Sequence, residues 1–322
     1  MVNSSLVDWR LKDLLHVDAL THGRERLERQ LQEMFAVEHV MPTNLGRTAL
    51  YFGLKSLLDR SDFKVGIPSI VCPTVLKAVL AAGAEPVILD VGPDMHLSME
   101  QDLDELNLSC VLVAHLYGQA ACIEKWESWA KTRRIKLIDD AAQAVGVQRN
   151  GRLCGTYGDL GILSFGPMKN VGTIRGGALM TKSETLFREV SKKSLFHEPF
   201  VHVATRVASS VLRYQFAVTL PRPKVPAAGK RRVVPVEVMT QQVQNWNEAF
   251  ALSGVEANLI NRVLKRMPHM LEVRRRWAGR LRAELKKFDH ISFPCNDVTS
   301  SRMIPVRLDS VFKAEQAVKA LN

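Results

Sequence analysis

Four short stretches carry the side chains that could do chemistry. In Asn44-Leu-Gly-Arg-Thr-Ala-Leu50 a glycine turn enters a helix of apolar periodicity. Such a start points backbone N–H groups outward with the positive end of the helix dipole behind them, so Gly46, Arg47 and Thr48 are candidate donors to a phosphate. Ile135-Lys-Leu-Ile-Asp-Asp-Ala-Ala-Gln143 is an apolar strand ending in two acids. A carboxylate there can hold a cationic ring nitrogen, with Gln143 reaching a neighbouring polar atom. Asp140 equally suits the N-cap of a helix beginning Ala-Ala-Gln, and the two readings are compatible. Gly158-Asp-Leu-Gly-Ile-Leu-Ser-Phe-Gly-Pro-Met-Lys169 carries Ser164 towards a strand end and a lysine into a Gly/Pro-rich loop. A lysine withdrawn from water keeps its amine neutral enough to attack a carbonyl; on the surface it is only a solvated charge. In Thr173-Ile-Arg-Gly-Gly-Ala-Leu-Met-Thr181, Gly176-Gly177 permits a tight turn into a strand whatever the function.

The elements that must position these residues follow from periodicity. Residues 22–36 read as a helix with Leu27, Leu31 and Met34 on its apolar face, 38–41 as a short strand and 47–58 as a helix. Strands at 64–67, 86–90, 110–114 and 135–139 then alternate with helices at 73–82, 99–104 and 123–132, and a strand at 160–165 follows. Short apolar strands separated by helices of about ten residues predict an α/β fold, a mainly parallel sheet covered on both faces. Ligands of such sheets bind beyond the carboxyl ends of the strands, where the acids, Ser164 and Lys169 fall. Residues 221–235 are Pro-rich and basic and read as a linker, separating a large domain (1–235) from a small C-terminal one (236–322). A helical region at about 241–287, a strand at 303–308 and a terminal helix make up the latter.

A phosphate cup at a helix start, an acid for a ring nitrogen, a hydroxyl and a lysine for an aldehyde are together what pyridoxal 5'-phosphate (PLP) requires. Their order and spacing resemble the DegT/DnrJ family of PLP-dependent sugar aminotransferases, of aspartate-aminotransferase fold type I. The resemblance covers roughly residues 20–290. It is carried by Gly46-Arg-Thr-Ala-Leu50, Pro68-Ser69 through Ala82-Gly-Ala-Glu-Pro86, His115-Leu-Tyr-Gly118, Asp140-Ala-Ala-Gln143, Gly158-Asp159, and Ser164-Phe-Gly-Pro-Met-Lys169 leading to Gly176-Gly177.

The resemblance implies a three-layer α/β/α large domain with a smaller, truncated C-terminal domain, and a homodimer whose sites form between subunits. It implies that Lys169 carries the cofactor aldehyde and shuttles the proton, and that Asp140 pairs with the pyridine nitrogen. Gln143 would lie near the phenolic oxygen, Ser164 and Gly46, Arg47 and Thr48 at the phosphate, and the His115–Gly118 motif would be mainly structural. The implied reaction moves an amino group from glutamate to a keto-sugar, nucleotide-linked, in polysaccharide or glycoconjugate biosynthesis. The alternative is a degenerate or truncated member that binds PLP or a sugar nucleotide without transamination.

Three departures motivate that alternative. Many members place an aromatic residue over the cofactor ring where Cys72 falls here. An Asn-x-Arg signature, by which a neighbouring subunit helps complete the site, meets Ala249 and Ala251 on a gapless count; Asn245 and Asn247 would match only with an insertion. Members also continue for some tens of residues beyond the counterpart of Asn322.

Composition narrows the rest. Of 322 residues, 46% are hydrophobic and 24% charged, which excludes a disordered tail or a disulfide-stapled miniprotein. Lys and Arg number 44 against 33 acids, a net charge of +11. The excess concentrates at 262–287, read as the solvated face of two amphipathic helices, without a nucleic-acid motif; the alternative for this stretch is a surface that binds nucleic acid or another polyanion. Five cysteines without a C-x-x-C pair predict a reducing compartment and no zinc site. The start lacks a secretory pattern, and the apolar stretch 200–220 contains Arg206 and Arg213, so the expectation is a cytoplasmic protein without a transmembrane segment.

Overall fold

The computed structural model describes residues 7–14, 22–192, 197–213, 251–294 and 303–309. The elements in chain order are α1 (Gly23–Phe35), β1 (His39–Thr43), α2 (Gly46–Leu57), β2 (Lys64–Pro68), α3 (Pro73–Ala82), β3 (Glu85–Leu89), β4 (Cys110–Ala114), α4 (Ile123–Arg133) and β5 (Lys136–Asp140). A small hairpin, β6 (Gln148–Arg149) with β7 (Arg152–Leu153), precedes β8 (Leu160–Ser164), β9 (Gly177–Thr181), α5 (Glu184–Ser191) and α6 (Phe200–Val211). After the undescribed 214–250 come α7 (Gly254–Leu285) and a second hairpin, β10 (Ile291–Ser292) with β11 (Arg307–Leu308).

Seven strands form one sheet in the order β1-β9-β8-β5-β4-β2-β3. Neighbours from β8 through β5, β4 and β2 to β3 are parallel; β9 is antiparallel to both β8 and β1. All five residues of β4, and all five of β8, are buried, as a sheet covered on both faces requires. The pleat sorts them: Leu112, Ile138 and Ile162 pack with α2 and α3, while Val111, Val113 and Leu137 pack with Trp126 of α4. Leu163, Ala178 and Met180 join Leu27 and Leu31 of α1 and Leu259, Val263 and Leu264 of α7. The layered α/β/α expectation is met.

Three local expectations are corrected. No α-helix forms at 99–104: Ser98 Oγ accepts the Glu100 N–H and Gln101 Oε1 accepts that of Asp90, each at 3.0 Å, and such side-chain bonds compete with a helix. Only a 3-10 turn, Asp104–Leu106, follows. Asp140 does accept the Ala142 N–H at 3.0 Å, but it caps a turn rather than a helix. The two helices expected within 259–288 are one, running through Pro268. A Ser253–Glu256 capping box starts it, and its apolar face stays in one buried cluster on both sides of the proline (Val263, Leu264, Met267 and Leu271), offsetting the lost hydrogen bond.

The basic stretch is also not simply a solvated face. Arg266 pairs with Asp13 at 2.7 Å, Arg274 pairs with Asp8, and Arg282 lies buried with its guanidinium 4.4 Å from the Phe293 ring centroid. The linker at 221–235 and the domain boundary lie outside the described residues, as do 241–250 and the terminal helix. Of the expected 303–308 strand, only Arg307–Leu308 is paired. Among the described residues no helix is long and apolar enough to cross a membrane, and no His/Cys/Asp/Glu cluster could hold a metal ion.

Candidate active site

A cleft of about 180 Å³ opens where the parallel strands end. Ala114 at the end of β4, His115 after it, Asp140 of β5 and Ile162 and Ser164 of β8 form its floor; the starts of α2 (Gly46, Arg47, Leu50) and α3 (Cys72, Thr74, Val75) form its walls; Gln143 and Lys169 close it. Of the residues expected at the cofactor, Gly46, Arg47, Cys72, Asp140, Gln143, Ser164 and Lys169 line this cleft, and Thr48 does not, being fully buried within α2.

The α2 end of the cleft is held together by close approaches. Leu45, the N-cap of α2, offers no side-chain acceptor to the first-turn N–H groups, so that end keeps its positive character towards the cleft. A Cβ on Gly46 would lie 2.9 Å from Ser164 Cβ, and one on Gly177 would lie 2.4 Å from the Gly46 nitrogen. The glycine pair at 176–177 thus does more than turn the chain: Gly177 lets β9 run directly beneath the α2 start, and Gly176, at φ 142°, sits where a Cβ would meet Ile260 at 2.5 Å.

The pleat separates the two acids of β5. Asp139 is fully buried on the side away from the cleft, with its oxygens engaged by His115 Nε2 at 2.7 Å and by the N–H groups of Gly155 and Tyr157 at 2.6 and 3.1 Å. The Ala121 N–H donates to His115 Nδ1 at 2.9 Å, so the ring hydrogen sits on Nε2 and points at Asp139. Asp140 faces the cleft, and burial pushes its carboxyl above the usual carboxylate range, only partly offset by the Ala142 N–H and the charge of Lys169.

Gln143 and Lys169 are held by turns. The 115–118 segment bends through Tyr117 (φ 53°) and Gly118 (φ 69°), and the Tyr117 N–H donates to Gln143 Oε1 at 3.2 Å. Gln143 therefore has its amide NH2 left to donate into the cleft. Lys169 is half-buried in the loop between β8 and β9, preceded by Met168 at φ 70°. Cys72 is the N-cap of α3, exposed towards the cleft, with its Sγ 3.1 Å from Thr74 Oγ1. Ala251, on the gapless count for the Asn-x-Arg signature, is buried and bridged to Thr43; Ala249, Asn245 and Asn247 lie outside the described residues.

Sequence reasoning missed one cluster behind the cleft. Arg175, preceding the glycine pair, donates from Nε to Glu256 Oε1 at 2.8 Å and pairs with Glu198; Arg206 of α6 donates to the same two acids. Its members are far apart in sequence, and nothing in local spacing announces it.

Comparison with known proteins gives three findings. The model of the DegT/DnrJ/EryC1/StrS aminotransferase family matches residues 7–216. Among curated relatives, dTDP-3-amino-3,4,6-trideoxy-alpha-D-glucose transaminase of Micromonospora megalomicea subsp. nigra is 32% identical over 188 residues, 56% of this chain and 50% of the relative. The chain spans about half the length of the curated relatives it matches first. Among solved structures, a DegT DnrJ EryC1 StrS aminotransferase from Brucella abortus superposes with a TM-score of 0.70 at 22% identity, over 96% of this chain and 78% of that one. An E. coli GDP-4-keto-6-deoxy-D-mannose-3-dehydratase with bound hydrated PLP does so with a TM-score of 0.72 at 16% identity, over 100% and 83%. At these identities the structural likeness speaks for the fold.

Proposed function

The chain belongs to the DegT/DnrJ/EryC1/StrS aminotransferase family, and from that premise we propose that it is a PLP-dependent aminotransferase moving an amino group from glutamate to a nucleotide-linked keto-sugar. The observation that carries the reading is Asp140, a carboxylate withdrawn from water at the cleft floor and raised in pKa by that burial. A buried acid of this kind is completed by a cation, and a protonated pyridine nitrogen is one.

The surrounding donor set fits the rest of the cofactor. The α2 N-terminus with Gly46 and Arg47, and the Ser164 hydroxyl facing it, would hold the phosphate. Thr48 would support that cup from within the helix. With its oxygen occupied by Tyr117, Gln143 would donate from Nε2 to the phenolic oxygen. Cys72 would border the ring at the α3 start. When bound, the cofactor supplies an electron sink that acidifies the donor's α-hydrogen. Lys169 Nζ would take the proton from the donor's α-carbon and deliver it to the aldehyde-derived carbon of the cofactor, and Asp140 would keep its nitrogen partner charged meanwhile. The sugar class rests on the named activity of the Micromonospora relative. A homodimer completing the cleft, and a cytoplasmic setting consistent with the four free cysteines among the described residues, belong to the same reading.

Absorption spectroscopy of the protein incubated with PLP and dialysed tests it. The expected result is a retained visible band that bleaches with glutamate and is lost, with borohydride-trapped attachment, in Lys169→Ala. The second reading, a non-transaminating binder, is favoured by Cys72 standing where relatives stack an aromatic ring; it predicts a retained band that glutamate leaves unchanged.

A further inference from the structure

Lys169 sits in a segment whose own sequence does little to hold it. Between Phe165 and Gly176 the chain contains Gly166, Pro167 and Gly172, with Met168 in the left-handed region. Near its ends the loop is tied to itself: the Lys169 N–H donates to Gly166 at 3.2 Å, and Thr173 returns both its N–H and its hydroxyl to Phe165 at 2.8 and 2.7 Å. The peptides between, 170–172, are gripped from elsewhere in the molecule.

That grip comes from the N-terminal segment and α7. The Asp8 N–H donates to the Gly172 carbonyl and the Gly172 N–H donates to Asp8 Oδ2, both at 2.7 Å, a two-bond bracket across 164 residues of chain. Arg274 of α7 donates to the Asn170 carbonyl at 2.6 Å and forms an ion pair with Asp8 Oδ1. Arg266, about two turns earlier on the same helix, donates to the Asp8 carbonyl at 3.1 Å. The flanking Val7 and Trp9 are buried in the core, so the bracket is anchored on both sides.

We propose that Asp8, locked by Arg274, is a positioning residue for Lys169: it fixes the peptides that follow the lysine and so holds its amine at the cleft. The inference rests on the reading of Lys169 as the reacting amine. A reacting group must be held to within a fraction of an ångström, and a loop rich in glycine does not do so unaided. The molecule contains its own control. Asp13 ties the same N-terminal segment to the same helix through Arg266 at 2.7 Å, but its carboxylate bonds to Arg10 and Arg266 rather than to the loop.

The test compares Asp8→Ala, Asp8→Asn and Asp13→Ala in the full chain. One readout is amide hydrogen exchange in cofactor-free protein; the other is the rate of borohydride-trapped PLP attachment at Lys169, located by peptide mass spectrometry. Asp8→Ala is expected to raise exchange at Asn170–Thr173 by at least about tenfold and slow attachment by about tenfold, with Asp13→Ala staying within about twofold of the parent. Asp8→Asn, which keeps an acceptor for Gly172, falls between and serves if Asp8→Ala does not fold. Asp8 variants that match Asp13→Ala in both readouts overturn the inference. Absence of attachment in the parent chain defeats the functional reading instead, and the exchange readout alone then decides whether Asp8 holds the loop.

Discussion

Asp139 and Asp140 are neighbours at the end of β5, and the strand's pleat gives one carboxylate to the core and the other to the cleft. Asp139 accepts from His115 and from two backbone N–H groups in full burial. Asp139→Asn turns an amide donor towards donors already there, and is expected to cost about 2–4 kcal/mol in urea unfolding. Asp140→Asn keeps an oxygen for the Ala142 N–H and removes a buried charge. It is expected to leave cofactor-free stability unchanged or raised at neutral pH while abolishing retention of PLP through dialysis.

The same carboxylate sets a sign for pH dependence. Its folded pKa lies above the ordinary carboxylate value, so the folded state binds the proton more tightly than the unfolded chain. The ionised group therefore costs stability above its folded pKa, and this cost is relieved as pH falls towards the ordinary value. Denaturation profiles of the parent and Asp140→Asn in cofactor-free form should converge as pH is lowered; profiles a constant distance apart would contradict this.

Behind the cleft the sign is opposite. Burial works to raise Glu198, but hydrogen bonds and charge from Arg206 and Arg175 outweigh it and hold the acid below the usual range. Its contribution is present above the ordinary carboxylate pKa and lost as pH falls through the folded one. Glu256 shares both arginines and is fully buried. Glu256→Gln is expected to cost about 3 kcal/mol by leaving them undercompensated. Hydrogen exchange of α6 amides should rise in that variant at neutral pH, and in the parent only in acid.

Gly177 admits no side chain without displacing backbone, because a Cβ there meets Leu45 and Gly46. Gly177→Ala is expected to cost about 1–3 kcal/mol and weaken PLP binding by moving the α2 start. Gly151→Ala, in open space at φ 77°, pays only for its backbone and should bind PLP like the parent. Calorimetry with PLP as titrant separates the two.

Cys72 reports on the cleft directly. Among the described cysteines it is the exposed one, while Cys110 and Cys154 are buried and burial pushes the Cys110 thiol up, away from its reactive form. Iodoacetamide should modify Cys72 fastest among these, and PLP should protect it. Unchanged labelling in the presence of PLP would place the cofactor elsewhere.

The layered fold was legible because buried parallel strands such as 110–114 are continuous apolar runs and helices such as 73–82 repeat at helical spacing, both consequences of local geometry. Most of the cleft was legible for a related reason: glycine turns, strand-end acids and a loop lysine occur at characteristic places in the chain. What local pattern could not decide was which partner each group meets. Two acids side by side are equivalent on paper, and only their environments make Asp139 a structural acceptor and Asp140 a cleft carboxylate. Ser98 and Gln101 overrode a helical stretch with bonds to nearby backbone, and α7 passed through a proline because burial of its apolar face on both sides outweighed one hydrogen bond. The arginines of 262–287 read as a solvated charge run, yet Arg274 reaches Asp8 and the loop of Lys169. By itself the sequence determined the elements and the residue types at their ends; long-range packing and charge pairing, which depend on distances between segments hundreds of residues apart, decided which of those residues hold the others in place.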